Sequence, residues 1–356
     1  MHRIQVVEPT LETYSGHCHS QVSSFCRAAS RARIDLWSAK GSEKLEFGPG
    51  VAVHPWFRRR IRLLQTFFLL RRLLPEPAPI VLLTARRSDL ALIRLAAGGP
   101  LPPRRVFLYF HWFRETPGKS RFLRKIAARL PNLVILGTTE SVVEVFRRCG
   151  FANVFLLPLP YATTQPARAA NAVPFRQLLY AGAARHDKGF TQVVDLVELL
   201  ARRKESIPVT LQVSADHYGK YDPATRADLA RLQSVVYPPL KLVGETLSPQ
   251  EYAGLFPGSI CLQPYRRADF ADRVSGVTMD ALSQGCPVIT TSRTWMAALI
   301  SRFGAGLALD DISAEGLHGA IGAVLGRYAS YQAAARAAGL AQDRNSWAPL
   351  IDLLDQ

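Results

Sequence analysis

Residues Ile260–Thr291 read ICLQPYRRADFADRVSGVTMDALSQGCPVITT. An apolar run ends at Pro264 and a polar loop follows. Ser275-Gly276 then opens an apolar helix that stops at Gly285, and a second apolar run begins at Pro287. Neither run alternates apolar with polar residues, so each reads as a strand covered on both faces. A helix between two such strands is the crossover of a parallel sheet.

The same alternation extends outward in both directions. Strands are expected at Ile4–Glu8, Ile80–Leu83, Val106–Phe110, Leu133–Leu136 and Val154–Leu157. In the second half they are expected at Gln177–Tyr180, Val209–Val213, Lys241–Val243, Ile260–Gln263, Val288–Thr291 and Gly306–Leu309. Helical patterns lie between them, among them His17–Ser30, Glu140–Cys149, Thr191–Arg203, Ala224–Val235, Thr278–Gln284 and Ala314–Tyr328. The pattern breaks once, at Pro158–Pro174 (PLPYATTQPARAANAVP), which reads as a linker. The fold class is therefore α/β, with two Rossmann-like domains. Residues 1–165 form the first and 166–335 the second, while 336–356 form a closing helix that returns toward the first.

A length of 356 residues with 48% hydrophobic and 20% charged residues excludes disordered, collagenous and coiled-coil chains. No apolar stretch approaches the ~20 residues of a spanning helix. The opening MHRIQVVEPT lacks the run and cleavage site of a signal peptide, so a cytoplasmic location is expected. The five cysteines are widely spaced and without a Cys-x-x-Cys pair, which fits reduced thiols. His17-Cys18-His19 points to different sides of a helix and is not read as a metal site.

The net charge of +16 is uneven. Met1–Gln165 carries 25 Lys+Arg against 10 Asp+Glu, and Pro166–Gln356 carries 19 against 18. A polyanionic partner is thus expected for the first half alone.

Two segments of the second half carry the chemistry. Gly276 allows close backbone approach, and the N–H groups of Ser275, Gly276 and Val277 at a helix start favour a phosphate. Asp272 precedes that helix and Asp280 lies within it, one set to reach beyond the phosphates and the other along the ligand. Taken singly, each could be an ordinary surface carboxylate. The other segment is Leu179–Phe190 (LYAGAARHDKGF), a strand, a small-residue turn and two cations. Arg185 offers a planar fork and Lys188 a mobile point charge, a pairing suited to a diphosphate. A lysine in the first turn of a helix is unfavourable by itself, which favours an anionic ligand there.

This combination resembles the retaining glycosyltransferases of family 4, which have the GT-B fold with the active site in an inter-domain cleft. Their donor half carries G-R-x-x-x-x-K-G and E-x7-E followed by A-x-x-x-G-x-P-V-I. Here Gly182…Lys188-Gly189 keeps the spacing, and Asp272-x7-Asp280 is followed by Ala281–Ile289 (ALSQGCPVI). The family Arg falls on Ala183, its nearest substitute being Arg185, and both glutamates are aspartates.

The resemblance implies a nucleoside-diphosphate sugar as donor substrate, with no other cofactor and no metal. Diphosphate contacts fall to Arg185 and Lys188, phosphate contact to Ser275-Gly276, donor-sugar hydroxyls to Asp272 and ribose hydroxyls to Asp280. It further implies a donor-binding Gly16 in the loop after the first strand. His111, at the end of Val106–Phe110, becomes the candidate for touching the donor sugar or the acceptor. An ordinary surface histidine is the alternative.

The basic half adds two helical patterns. On Trp56–Leu74, Arg58, Arg59, Arg62, Gln65, Thr66 and Arg72 share one face. Ile61, Leu63, Leu64, Phe67, Phe68, Leu70 and Leu74 fill the opposite arc, with Arg60, Leu69, Arg71 and Leu73 out of place. Arg121–Leu130 presents Arg121, Arg124 and Lys125. Such helices either pack on the sheet or lie on an anionic membrane, and the wide apolar arc allows both. The expected partners are a nucleotide sugar, a lipid-linked or glycan acceptor and an anionic membrane surface. No zinc-finger, RRM or KH pattern supports nucleic acid. The alternative function, suggested by Ala183 and the two aspartates, is a non-catalytic nucleotide-sugar-binding protein.

Overall fold

The computed structural model describes residues 3–14, 17–160, 172–215, 221–245, 247–342 and 344–356. Gly16 and most of the expected linker lie outside these residues. The chain divides into two compact units, Met1–Ala162 with Asn345–Gln356, and Thr163–Arg344.

The first unit contains β1 (Arg3–Glu8), α1 (His17–Ala28), β2 (Arg33–Ala39), β3 (Val51–Phe57), α2 (Arg62–Leu73), β4 (Ile80–Leu82) and α3 (Arg87–Ala97). It continues with β5 (Val106–Phe110), α4 (Pro117–Arg129), β6 (Val134–Gly137), α5 (Glu140–Arg148) and β7 (Asn153–Leu156). Among the described residues seven strands form one parallel sheet, ordered β3-β2-β1-β4-β5-β6-β7. The winding reverses between β1 and β4, and in open α/β sheets ligands bind beyond the carboxyl ends of the strands at such a reversal. Every residue of β5 and β6 is buried, as continuous apolar runs require. Thr139 starts α5 by accepting the Val142 N–H on its hydroxyl.

The second unit contains β8 (Gln177–Tyr180), α6 (Phe190–Arg202), β9 (Val209–Gln212), α7 (Pro223–Ser234), β10 (Leu240–Val243), α8 (Pro249–Gly254) and β11 (Ser259–Gln263). After these come α9 (Arg267–Phe270), α10 (Gly276–Ser283), β12 (Val288–Thr291), α11 (Trp295–Phe303), β13 (Gly306–Leu309), α12 (Ala314–Leu325) and α13 (Tyr328–Gln342). Its strands form a second parallel sheet, ordered β10-β9-β8-β11-β12-β13 among the described residues. The reversal here falls between β8 and β11. The stretch Ile260–Thr291 is β11, α9, α10 and β12, so the crossover that it suggested is present.

The last helix, α14 (Ala348–Asp355), belongs to the first unit. Just before it, the Trp347 indole donates to Ser24 Oγ at 3.1 Å and meets Phe25 edge-on at 5.3 Å. No helix among the described residues is long and apolar enough to cross a membrane.

Two strands were not expected, and both break the apolar rule locally. In β2 (RIDLWSA) a carboxylate interrupts the run, yet Asp35 is buried because Arg3 donates to it at 2.5 Å and it pairs with His54 at 2.8 Å. In β3 (VAVHPWF) Pro55 lacks the ladder donor, which an edge strand tolerates.

The expected helix Trp56–Leu74 is corrected by the same observation. Trp56 and Phe57 finish β3, a short 3-10 turn covers Arg59–Ile61, and α2 begins only at Arg62. The faces expected on the helical wheel are also corrected. Thr66, Leu69, Leu70 and Leu73 are buried, while Ile61, Leu63, Leu64 and Phe68 are 46–57% exposed. Thr66 can face the core because its hydroxyl donates to the Arg62 carbonyl at 2.9 Å.

Candidate active site

The second unit assembles its polar groups at the carboxyl ends of β8 and β11. After β8 the chain turns at Gly182, whose φ is +92° and whose N–H donates to Gln212 Oε1 at 2.6 Å. A β-carbon at Gly182 would stand 3.0 Å from Lys188 Nζ and 3.4 Å from Val277 Cγ2. The LYAGAARHDKGF segment and the start of α10 therefore converge on one point, although nearly a hundred residues separate them in sequence. Gly189 closes the turn with φ +68°, and a β-carbon there would lie only 2.0 Å from the Pro264 carbonyl oxygen. Only glycine lets the two strand ends approach so closely.

Lys188 is half-buried, with Nζ 5.9 Å from the centre of the Tyr265 ring. Burial, and then the positive charges of Arg185 and Arg273, push its pKa down to about 8. Arg185 clasps Asp187 through both carboxylate oxygens, with Nε 2.8 Å from Oδ1. Arg273 approaches the same carboxylate at 4.0 Å and lies 5.0 Å over the Phe270 ring. Burial and the nearby Arg185 charge lower the Arg273 pKa. Sequence reasoning passed over both Asp187 and Arg273. Charge adjacent to two motif residues was the available signal, but it does not distinguish a site residue from a solvated one.

Ser275 is buried and caps α10, its Oγ accepting the Thr278 N–H at 3.3 Å. Thr278 in turn donates its hydroxyl to Gln263 Oε1 at 2.6 Å, fixing the helix start to the end of β11. Gly276 and Val277 follow in the first turn, which carries no acidic residue. The positive end of the helix dipole is therefore uncancelled in that turn. Asp280 lies one turn further on, half-buried, and accepts a hydrogen bond from the Tyr252 hydroxyl at 3.1 Å. Asp272 is exposed in the loop between α9 and α10.

In the first unit, His111 follows β5 at the carboxyl edge of the sheet. Its Nε2 is 2.9 Å from the Leu83 carbonyl oxygen and 2.8 Å from Gln21 Nε2. Gln21 Nε2 also donates to the Leu83 carbonyl at 3.3 Å, so the ring and the amide meet on that oxygen. In the same sheet, Glu8 is fully buried at the end of β1 and accepts hydroxyl hydrogen bonds from Thr84 and Thr10, at 2.5 and 2.6 Å. Arg58, Arg59, Arg121, Arg124 and Lys125 are exposed, and Arg62 is half-buried. Among the described residues no three His, Cys, Asp or Glu side chains gather as a metal site.

No protein-family model and no curated protein matches this sequence. Solved structures do match its fold over the whole length. The sucrose-phosphate synthase of Thermosynechococcus elongatus is 14% identical, with a TM-score of 0.73, covering 100% of this chain and 98% of its own. The α,α-trehalose 6-phosphate synthase of Burkholderia multivorans is 13% identical, TM-score 0.68, with 100% and 98% covered. Anabaena HepE in complex with UDP is 12% identical, TM-score 0.66, again with 100% and 98% covered. With its two parallel sheets, each reversing its winding beside its first strand, the chain shares the GT-B fold of these structures.

Proposed function

We propose that the protein is a retaining glycosyltransferase of the family 4 type, moving a sugar from a nucleoside-diphosphate sugar to a hydroxyl. The observation that carries this reading is the meeting of Lys188 Nζ, Gly182 and Val277 at the winding reversal of the second unit. Transfer breaks the bond between the anomeric carbon and the β-phosphate and joins that carbon to the acceptor oxygen, whose proton is released. Negative charge collects on the departing diphosphate. Arg185, Lys188 and the α10 N-terminus neutralise it, so no metal is required for that step. Asp280 holds the ribose hydroxyls and Asp272 those of the donor sugar. His111 contacts the sugar or the acceptor.

The acceptor is a lipid-linked or membrane-associated glycan, and the enzyme works as a peripheral protein at the cytoplasmic face of the membrane. The exposed row Ile61, Leu63, Leu64 and Phe68, with the exposed Arg58, Arg59, Arg60 and Arg71 close by in sequence, supports this.

A panel of sugar nucleotides tests the function, starting with uridine donors because HepE holds UDP. Binding with hydrolysis or transfer is expected. Binding without turnover in the presence of lipid-linked acceptors would favour a non-catalytic nucleotide-sugar-binding protein, the reading that Ala183 supports by leaving the family's arginine position without a cation. No binding of any sugar nucleotide overturns both.

A further inference from the structure

We infer that the Asp187 carboxylate is an internal rival of the donor diphosphate, and that Arg273 joins Arg185 and Lys188 on the diphosphate when it yields. This rests on reading the second unit as a nucleoside-diphosphate site. Arg185 grips Asp187 as a guanidinium grips two oxygens of one phosphate, and Arg273 reaches the same carboxylate from another element at 4.0 Å. Among the described residues, no ion pair joins Lys188 to a carboxylate. The other nearby acid, Asp269, is taken by Arg266. Two half-buried arginines thus share one carboxylate while the half-buried Lys188 pairs with none, and the surplus is two positive charges.

That surplus matches a sugar nucleotide, which bears one negative charge on each phosphate. The nucleoside diphosphate left after transfer bears about three, because its terminal phosphate ionises a second time near pH 6. It can use all three cations fully only if Asp187 withdraws. A carboxylate that returns to Arg185 and Arg273 therefore weakens the product more than the donor, and so assists release.

The test is calorimetric titration of UDP, UMP and UDP-glucose into the full-length protein and its Asp187→Asn, Arg273→Gln and Arg273→Lys variants, with melting curves to verify folding. Asp187→Asn should bind UDP about tenfold more tightly and UDP-glucose less markedly so. Arg273→Gln should bind UDP about tenfold more weakly, Arg273→Lys should recover part of the loss, and UMP should change little. Unchanged UDP affinity in folded Arg273→Gln, or equal or weaker UDP binding in folded Asp187→Asn, overturns the inference. If Lys188→Ala weakens UDP while these variants do not, only the inference fails. If the unaltered protein binds none of the three ligands, nor GDP or ADP, the diphosphate reading fails and takes the inference with it. A variant that does not melt cooperatively is replaced by Asp187→Ser or Arg273→Met, read by the same criteria.

Discussion

Gly182 and Lys188 are packed so closely that a β-carbon on the glycine would stand 3.0 Å from the lysine Nζ. The lysine amine is therefore held over bare backbone, beside Val277 at the start of α10. Gly182→Ala should push Nζ away from that position and force alanine to a φ near +92°. The expected result is a stability loss of about 1–2 kcal/mol in urea unfolding and a nucleoside-diphosphate affinity lowered about tenfold. An affinity equal to that of the unaltered protein would detach Lys188 from the diphosphate.

Lys188 also sets a pH dependence. Its pKa in the folded protein is about 8, below the ordinary 10.5, because burial and two arginines oppose its charge. The protonated amine is the form that attracts phosphate, so diphosphate affinity should fall as pH rises through this range. Bound diphosphate stabilises the proton and moves the fall to higher pH. The linkage to stability has the opposite sign. Below about 8 the folded protein bears the full cost of a buried ammonium, and that cost disappears as pH rises toward 10.5. Lys188→Met should flatten both profiles, and titration at pH 7 and 9 with matched urea melts measures them.

Much of this arrangement was legible in the sequence, and the reason is local. The strands Val106–Phe110, Gln177–Tyr180, Val288–Thr291 and Gly306–Leu309 have the expected bounds because uninterrupted apolar runs flanked by turns leave little choice. Around Asp35 and Pro55 the sequence misled, since a buried carboxylate satisfied by Arg3 and His54 depends on partners distant along the chain. In the candidate site only the local part was legible. Lys188 and Val277 belong to motifs of fixed spacing, whereas Arg273 acquires meaning only when Asp187 is found 4.0 Å away.

Asp280 and Tyr252 offer a check on the nucleoside end of the ligand. The tyrosine hydroxyl donates to Asp280 Oδ2 at 3.1 Å, which orients the carboxylate. If Asp280 accepts from ribose hydroxyls, 2′-deoxy and 3′-deoxy nucleotides should bind the unaltered protein several-fold more weakly than the ribonucleotide. Asp280→Asn should narrow that preference, and Tyr252→Phe should have a smaller effect in the same direction. A deoxy penalty that persists at full size in Asp280→Asn would assign the ribose to other residues.

The α2 helix separates packing from docking within a few residues. Leu69 and Leu70 are fully buried against the first sheet, whereas Leu64 and Phe68 stand 56% and 57% exposed. Leu69→Ala should cost about 2–5 kcal/mol of stability, because it leaves a cavity in the core. The double change Leu64→Ser with Phe68→Ser removes no core contact of that kind and should leave unfolding within about 0.5 kcal/mol. Its expected effect is on membranes, where burying two large apolar side chains supplies several kcal/mol at most. Co-sedimentation with vesicles containing phosphatidylglycerol should therefore drop sharply in the double variant. Arg58→Gln with Arg59→Gln should reduce binding less, and with a steeper salt dependence of what is lost. Vesicles of phosphatidylcholine alone supply the control. Equal recovery of the unaltered protein on both vesicle types, or full recovery of the double serine variant on the anionic ones, would leave the exposed row without a membrane role.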